Sequence, residues 1–146
     1  MSSDALRLEN QICFPLYVCS KEIIKKYKSS LDKLDLTYTQ YITMMVLWEK
    51  QNINVKELGT YLYLDSGTLT PLLKKLESKG YINRDRSSRD ERNLVITITK
   101  KGMKLKDEAE QIPMEVGKCL SGITEEEIKS LYKILYKILA TMEEDI

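Results

Sequence analysis

The chain has 146 residues, of which 42% are apolar and 31% are charged, a composition typical of one folded domain and too apolar for a disordered chain. It has no histidine, which excludes histidine catalysis and histidine-ligated metal sites, and its three cysteines are too scattered for a disulfide framework or a zinc ribbon. Its apolar runs are far shorter than a membrane span, and its polar N-terminus lacks a signal-peptide pattern. We therefore expect a cytoplasmic protein with no membrane partner, and no motif indicates a cofactor.

The net charge of +1 hides an imbalance along the chain. Residues 66–106 hold 11 basic and 4 acidic side chains, whereas residues 107–146 hold 4 basic and 10 acidic ones. Four arginines fall close together, at Arg84, Arg86, Arg89 and Arg92. This pattern predicts that the middle third of the chain contacts a polyanion, with a solvated charged loop as the alternative.

The first two predicted elements are helices. Apolar residues recur at steps of three and four through residues 4–34, which predicts a long helix that Pro15 either bends slightly or begins. Thr37 and Gln40 have the spacing of a capping box, and they predict a second helix that runs through Trp48.

A helix-turn-helix pattern follows. Asn54 repeats the capping spacing and opens a short helix that runs to about Tyr63. Asp65 or Ser66 caps the next helix, whose leucines recur at helical spacing, and Gly80 supplies the left-handed residue that ends it.

The chain then changes from helix to strand. The β-forming residues at 81–82 and 94–98 flank a charged stretch without apolar side chains at 83–93, which predicts a hairpin with a long polar tip. Two helices follow the hairpin: Thr99 caps one over about 100–119, and the capping box of Thr124 opens the last. The last helix carries a broad apolar stripe that requires a partner surface, formed by Ile128, Leu131, Leu135, Ile138 and Met142.

This order of elements predicts a mainly α fold with a small β-hairpin, namely a winged helix-turn-helix. We expect the lobe at about 36–99 to bind DNA, with the second helix of the turn motif in the major groove and the hairpin tip at the backbone or minor groove. The segments at about 4–34 and 100–146 carry more apolar surface than the winged core can cover, and we interpret them as dimerisation helices of a single domain, 1–146. A two-fold homodimer matches the two half-sites of a pseudo-palindromic operator in double-stranded DNA.

Four segments carry a resemblance to a known family. Residues 64–77, which begin Leu-Asp-Ser-Gly-Thr-Leu-Thr-Pro, and residues 90–99, Asp-Glu-Arg-Asn-Leu-Val-Ile-Thr-Ile-Thr, resemble the MarR family of dimeric bacterial transcription regulators. Residues 11–17, Gln-Ile-Cys-Phe-Pro-Leu-Tyr, and residues 36–41, Leu-Thr-Tyr-Thr-Gln-Tyr, are similar to its thiol-based branch, the OhrR, MgrA, SarZ and AbfR types. The likeness covers almost the whole chain.

The candidate DNA-binding residues lie in the second helix of the turn motif and in the wing. Three small hydroxyl side chains fall in the first turn of that helix, where they suit phosphate and base-edge contacts, although plain N-capping is expected to explain one of them: Ser66, Thr68 and Thr70. Lys74 and Lys75 follow on the solvated side and are expected to contact phosphate. Arg86 and Arg89 belong to the wing, and the resemblance implies that Arg92 enters the minor groove with Asp90 orienting it.

Cys13 is the candidate redox sensor, with a small packed side chain as the alternative. Tyr27 lies 14 residues further on, on nearly the same helix face but about 21 Å along the axis, so the two side chains cannot meet within one chain. They would meet if the first helices of two subunits crossed antiparallel near Ser20. The resemblance implies that Tyr27 and Tyr38 hydrogen-bond the reactive thiol across the dimer, and that this thiol reacts with a peroxide to form a sulfenic acid.

The other two cysteines differ in expected role. Cys19 is too far from Cys13 along and around the helix for an unstrained disulfide, so we interpret it as a packed residue. The resemblance implies that Cys119, at the end of the fifth predicted helix, is a resolving cysteine of the other subunit. In single-cysteine members of the branch, a small thiol takes that role.

These observations predict a homodimeric DNA-binding transcription regulator, a repressor and not an enzyme, that senses organic hydroperoxide or a related oxidant through Cys13. The first alternative is a MarR-type regulator released by a small phenolic ligand, with Cys13 only structural. The second is a thiol peroxidase, which would leave the wing motif unexplained and would need a supporting arginine that the sequence near Cys13 does not show.

Overall fold

The computed structural model describes residues 3–85 and 94–144, and within these ranges it contains seven α-helices and three short β-strands. The predicted fold class, mainly α with a small antiparallel sheet, is confirmed. The chain divides into two compact units, Met1–Ile112 and Pro113–Ile146.

The first helix, α1, spans Cys13–Lys33 and is shorter at its start than the predicted helix over 4–34. The residues before it form two 3₁₀ turns, Ser3–Leu6 and Leu8–Asn10. Pro15 is the third residue of α1, where its missing N–H has no intrahelical partner to lose. Pro15 therefore marks the start of the helix.

The second helix, α2, spans Tyr38–Lys50 and begins with the predicted capping box. The Gln40 backbone amide donates to Thr37 Oγ1 at 3.2 Å, and the Thr37 backbone amide donates to Gln40 Oε1 at 3.1 Å. The turn between α1 and α2 contains Asp35, whose φ of +54° lies in the left-handed region.

The predicted helix-turn-helix consists of α3, Val55–Leu62, and α4, Ser66–Ser78. The Asn54 side chain caps α3 by accepting from the backbone amide two residues on, at 2.8 Å. Tyr63 ends α3 in a left-handed conformation with φ +55°, and Gly80 follows α4 with φ +81°, as its sequence position predicts.

A three-stranded antiparallel sheet replaces the predicted two-stranded ribbon. The strands are β1, Asn52–Asn54, β2, Ile82–Asp85, and β3, Val95–Ile98, and their order in the sheet is β1–β3–β2. The register pairs Asn52 with Thr97, Ile53 with Ile96, Ile82 with Ile98 and Asp85 with Val95. The predicted tip of the wing, 86–93, lies outside the described residues.

The predicted helix over 100–119 is wrong in its length. The structure has α5 at Lys100–Ala109, α6 at Ile112–Gly117 and a 3₁₀ turn at Lys118–Leu120. Pro113 has no N–H to donate to the carbonyl of residue 109, and its ring would clash with that carbonyl in a continuous helix. The helix therefore ends at Ala109 and a new one begins.

The last helix, α7, spans Glu125–Glu144. Its capping box is confirmed, because the Glu127 amide donates to Thr124 Oγ1 at 3.1 Å and the Thr124 amide donates to Glu127 Oε1 at 3.3 Å. The apolar stripe of α7 is exposed on the single chain, at Ile128, Leu131, Ile134, Leu135, Ile138 and Met142.

The core of the first unit lies between the helix-turn-helix and the sheet. α4 contributes its buried leucines, α2 contributes Met44 and Leu47, and the sheet contributes Ile82 and Ile96, which are at most 1% exposed. This packing leaves the opposite face of α4 in solvent, where it is available to a partner.

Candidate functional site

The first turn of α4 presents an exposed polar face. Asp65 is the N-cap, and its Oδ1 accepts from the Thr68 amide at 2.8 Å. The hydrogen bond from the Thr68 backbone amide, and to a lesser extent one from the Thr68 side chain, hold the pKa of the Asp65 carboxyl below its ordinary value of 3.8. The expectation that N-capping explains one of the three hydroxyl residues is therefore wrong, because the aspartate is the capping residue.

The predicted DNA-binding residues of α4 all lie on its exposed side. The exposed residues are Ser66, Thr68, Thr70, Lys74 and Lys75. Thr70 Oγ1 donates to the Ser66 carbonyl at 2.8 Å, so its hydroxyl is oriented within the helix. The helix thus places small hydroxyl groups at its N-terminal end and two ammonium groups further along the same solvated surface. Such a surface can contact base edges and phosphates.

The wing contains an arginine with a structural role that the sequence does not indicate. Arg84, in β2, has a side chain only 10% exposed, and its Nη2 lies 3.1 Å from Glu77 Oε1 in the last turn of α4. Glu77 Oε2 also accepts from the Arg84 backbone amide at 3.1 Å. The pair joins α4 to β2. The other predicted wing residues lie outside the described residues: Arg86, Arg89, Asp90 and Arg92.

Cys13 is the first residue of α1 and is exposed on the single chain. It adjoins Phe14, which lines an open groove of about 510 Å³ together with Arg7, Leu8 and Glu9. Arg7, which precedes Cys13 by six residues in the sequence, lies on this groove, and its guanidinium is ion-paired with Glu9.

The two predicted sensor tyrosines contact each other at the far end of α1. The ring centroids of Tyr27 and Tyr38 are 5.1 Å apart, in an edge-on arrangement. α1 is one continuous helix between Cys13 and Tyr27, so the thiol and the tyrosine of one chain are separated by about 21 Å. The structure brings the tyrosines together and keeps the cysteine apart from them.

A third tyrosine, which the sequence pattern does not single out, completes the aromatic cluster. The Tyr41 ring lies 5.7 Å from that of Tyr27 and 6.3 Å from that of Tyr38. Burial raises the pKa of the Tyr41 phenol, and the two neighbouring tyrosines raise it further. Tyr41 also meets Trp48 edge-on at 6.3 Å, and the Trp48 indole donates to the Gly102 carbonyl of α5 at 2.9 Å.

The remaining cysteines are both exposed on the single chain. Cys19 lies in α1 and is exposed on the single chain, so it is not packed within one chain. Cys119 lies in the 3₁₀ turn Lys118–Leu120 and not at the end of a fifth helix, because α5 ends earlier. Neither is held in a disulfide within the single chain.

Metal-binding and membrane-spanning features are absent from the described residues. Among residues 3–85 and 94–144, no group of three or more histidine, cysteine, aspartate or glutamate side chains could hold a metal ion. Within the same ranges, every helix is too short or too polar to cross a membrane.

Comparisons with known proteins give relatives of the same architecture. The family model for the transcriptional regulator SarA/Rot matches residues 25–109. The organic hydroperoxide resistance transcriptional regulator of Bacillus subtilis is 47% identical over 141 residues, 97% of this chain and 95% of that protein. The regulator SarZ of Staphylococcus haemolyticus is 54% identical over 109 residues, 75% of this chain and 74% of that protein.

Solved structures of AbfR, a protein of Staphylococcus epidermidis, are also similar. Reduced AbfR bound to DNA superposes with a TM-score of 0.77 at 34% identity and covers 97% of this chain and 99% of that one. Disulfide-formed AbfR superposes with a TM-score of 0.64 at 34% identity and covers 97% of this chain and 95% of that one. The chain belongs to the SarA/Rot family of transcriptional regulators, in the thiol-based branch of MarR-like winged-helix proteins.

Proposed function

We propose that this chain is a homodimeric repressor that binds a pseudo-palindromic DNA operator and releases it when an organic hydroperoxide oxidises Cys13. The observation that carries the proposal is the separation of the sensor residues. The thiol lies at one end of α1 and the contacting tyrosines Tyr27 and Tyr38 lie near the other, so a second chain running antiparallel would bring each thiol to its partner's tyrosines.

The exposed apolar surface supports dimer formation. Residues before and within α1 expose apolar side chains, among them Leu6, Leu8, Ile12 and Tyr17, and α7 exposes a full apolar stripe. Surface of this kind on a monomer marks an interaction site. We assign the segments at about 4–34 and 100–146 to the dimer and the lobe at about 36–99 to DNA, with 1–146 acting as one functional domain. A regulator of bacterial DNA works in the cytoplasm.

DNA binding is assigned to α4 and the wing. In this proposal the hydroxyl residues of α4 read base edges, and Lys74 and Lys75 neutralise phosphates. Arg92, oriented by Asp90, enters the minor groove, and Arg86 and Arg89 assist at the wing. The similar protein AbfR, in its reduced form, is bound to DNA in its solved structure, which supports this assignment.

The DNA assignment is tested with a duplex obtained by footprinting genomic DNA with the reduced protein. Lys75→Ala should weaken binding to this duplex and to unrelated DNA equally and lower the salt dependence by about one counterion. Arg92→Ala should weaken binding to the footprinted duplex strongly. Unchanged binding by the Arg92 variant would remove the wing from the proposal.

The proposed chemistry begins with the Cys13 sulfur as the nucleophile, at the first residue of α1. The sulfur attacks the terminal peroxide oxygen, so an S–O bond forms, the O–O bond breaks, and an alcohol leaves after taking a proton. The product is a sulfenic acid, with the sulfur oxidised by two electrons. The Cys119 sulfur of the partner chain then attacks that sulfur, so an S–S bond forms, the S–O bond breaks, and the hydroxide that leaves takes a proton to become water.

Cysteine variants test this sequence. After one equivalent of cumene hydroperoxide, non-reducing gels of the parent and of Cys19→Ser should show a covalent dimer. In a binding assay, this dimer should no longer bind the footprinted duplex. Cys13→Ser should bind the duplex and ignore the peroxide. Cys119→Ser should stay monomer-sized, and a monomer-sized parent with a small-thiol adduct would indicate the single-cysteine route.

A turnover assay separates a regulator from a peroxidase. With a thiol reductant present, we expect peroxide consumption far below that of an enzyme, because Cys13 serves as a switch and not as a catalyst. Consumption of many equivalents per subunit would revive the peroxidase hypothesis. If intact-mass measurement shows that the peroxide does not modify Cys13, the remaining hypothesis is a regulator released by a phenolic ligand.

A further inference from the structure

One lysine joins α4, the proposed recognition helix, to the turn that precedes Tyr38. Lys79 caps the C-terminus of α4, and its side chain, 26% exposed, crosses to the turn between α1 and α2. There the ammonium donates to the Asp35 backbone carbonyl, lies 3.4 Å from Asp35 Oδ2 and donates to Gln40 Oε1 at 3.4 Å. A lysine ammonium has three donors, and this turn offers three acceptors.

The turn that Lys79 contacts also determines where Tyr38 lies. Tyr38 is the first residue of α2, and the capping box on either side of it uses Thr37 and Gln40. Gln40 Oε1 therefore accepts both from the Thr37 amide, at 3.1 Å, and from the Lys79 ammonium. Gln40 is only 4% exposed, so its amide is held in place by packing as well as by these hydrogen bonds. A displacement of this turn moves the hydrogen-bond acceptors of Lys79.

At its other end Lys79 is firmly part of α4. Its amide donates to the Lys75 carbonyl at 3.1 Å, and its carbonyl accepts from the Lys101 ammonium of α5 at 2.8 Å. Leu76, one turn earlier, is fully buried. Because a helix with a buried face moves as a unit, a shift at Lys79 is carried through the 13 residues of α4 to the polar first turn, about 20 Å away.

We infer that Lys79 is a positioning residue that couples the Tyr38 turn to the DNA-contacting end of α4. This inference rests on the proposed function. When oxidation of Cys13 alters the surroundings of Tyr38, the turn shifts, and Lys79 transmits the shift to the recognition helix. Allosteric coupling requires a physical element whose position both sites bias, and this lysine bridge has one end at each site.

The measured quantity is the coupling factor, defined as the dissociation constant of the oxidised protein for the footprinted duplex divided by that of the reduced protein. Lys79→Met keeps the length of the side chain but removes all three donors. It should lower the coupling factor by about tenfold, within the range that single allosteric couplings span. Lys79→Arg keeps the charge and the donors and should retain most of the coupling.

Lys50→Met is the matched control. Lys50 is in α2, the same helix as Tyr38, and its ammonium lies 3.4 Å from a carboxylate, that of its neighbour Glu49. Its other contact in the described part of the chain is with the ring of Tyr61 in α3, so it does not join α2 to α4 and the coupling factor should remain that of the parent. The rate of Cys13 oxidation by cumene hydroperoxide, followed by mass spectrometry, should be the same in all four proteins.

The outcomes separate the two proposals. A parent that keeps its DNA affinity after oxidation overturns the proposed function and this inference together. A parent that releases DNA, with a Lys79→Met variant of equal coupling factor, overturns the role of Lys79 alone. Thermal unfolding of each variant identifies a misfolded protein. If Lys79→Met is misfolded, Asp35→Asn replaces it, because asparagine tolerates the left-handed turn and only the carboxylate contact is lost. Asp35→Asn should lower the coupling factor partially, and a coupling factor equal to that of the parent also overturns the inference.

Discussion

The pair formed by Glu77 and Arg84 should contribute strongly to stability, because it joins α4 to β2 and the Arg84 guanidinium is largely removed from water. The Arg84 side chain is 10% exposed and that of Glu77 is 29% exposed. The two carboxylate oxygens of Glu77 accept from the Arg84 guanidinium and from the Arg84 backbone amide, each at 3.1 Å. Glu77→Ala removes both hydrogen bonds and leaves a buried charge without this partner.

The magnitude follows from the kind of contact that is lost. A hydrogen bond to a charged group contributes about 1.5–3 kcal/mol, and breaking a fully buried ion pair costs about 3–5 kcal/mol. Because Glu77 is partly exposed, we expect Glu77→Ala to lower the free energy of unfolding by about 2–4 kcal/mol. For a chain of this size that corresponds to a fall in Tm of roughly 4–16 °C.

The assay is denaturant and thermal unfolding of Glu77→Ala, Arg84→Met and the double variant at one fixed protein concentration, since a dimer's stability depends on concentration. The double variant should be more stable than the sum of the two losses predicts, by about 1.5–3 kcal/mol. Glu49→Ala, which removes an exposed pair with Lys50, should show no measurable change. If the two single losses simply add, the pair does not couple the helix to the wing and the reasoning fails.

Three further predictions concern the fold around the site. The lowered pKa of Asp65 means that its N-cap hydrogen bond stabilises the folded state above pH 3.8 and that this stabilisation is lost as the pH falls through the folded-state pKa. The Asp65 carboxyl resonance of the native protein should therefore titrate below pH 3.8 by NMR. A midpoint at or above pH 3.8 would contradict the cap. Trp48→Phe removes the buried hydrogen bond to Gly102 and should cost about 1–3 kcal/mol in chemical unfolding, whereas a neutral substitution would show that the bond contributes nothing. Gly102→Ala places a methyl group against the Tyr81 carbonyl and should lower the free energy of unfolding by about 1–3 kcal/mol, despite the better helix propensity of alanine. Gly117→Ala is the control, because in the described part of the chain no atom beyond its chain neighbours and its own helix backbone lies within 4 Å of the added methyl group, and it should not destabilise the protein. Equal stabilities of the two variants would refute the steric argument.

Local signals in the sequence predict most of the helix boundaries. The capping box of Thr37 and the N-cap Thr99 are predictable because each involves residues only three positions apart. The end of α4 is predictable because glycine is the residue that most readily adopts the left-handed conformation of Gly80. The strand Asn52–Asn54 has no such signal, because three residues with one apolar side chain carry no periodicity and pair only with a distant strand. The break at Ala109 is hidden from a periodicity argument, because the apolar spacing continues past Pro113 and masks the effect of the proline.

The candidate site shows the same division. The spacing of Cys13 and Tyr27 on one helix is sufficient to predict that they are far apart in one chain. A shared role for Tyr27 and Tyr38 comes only from the resemblance, since nothing local brings the two helices together. Arg84 belongs to a run of four arginines in the sequence, and charge composition does not show that its side chain is nearly buried in β2.

The position of the single tryptophan makes the sensor region visible by spectroscopy without a label. Trp48 is the only residue of its type in the chain, and it is 9% exposed with its edge against the ring of Tyr41. Tyrosines at this range transfer excitation to an indole, so a change in the packing of the aromatic cluster changes the intensity of one emission band. The same indole is hydrogen-bonded to α5, whose movement shifts the wavelength of that band. Stopped-flow fluorescence of the unmodified protein can therefore time the structural response against the covalent step.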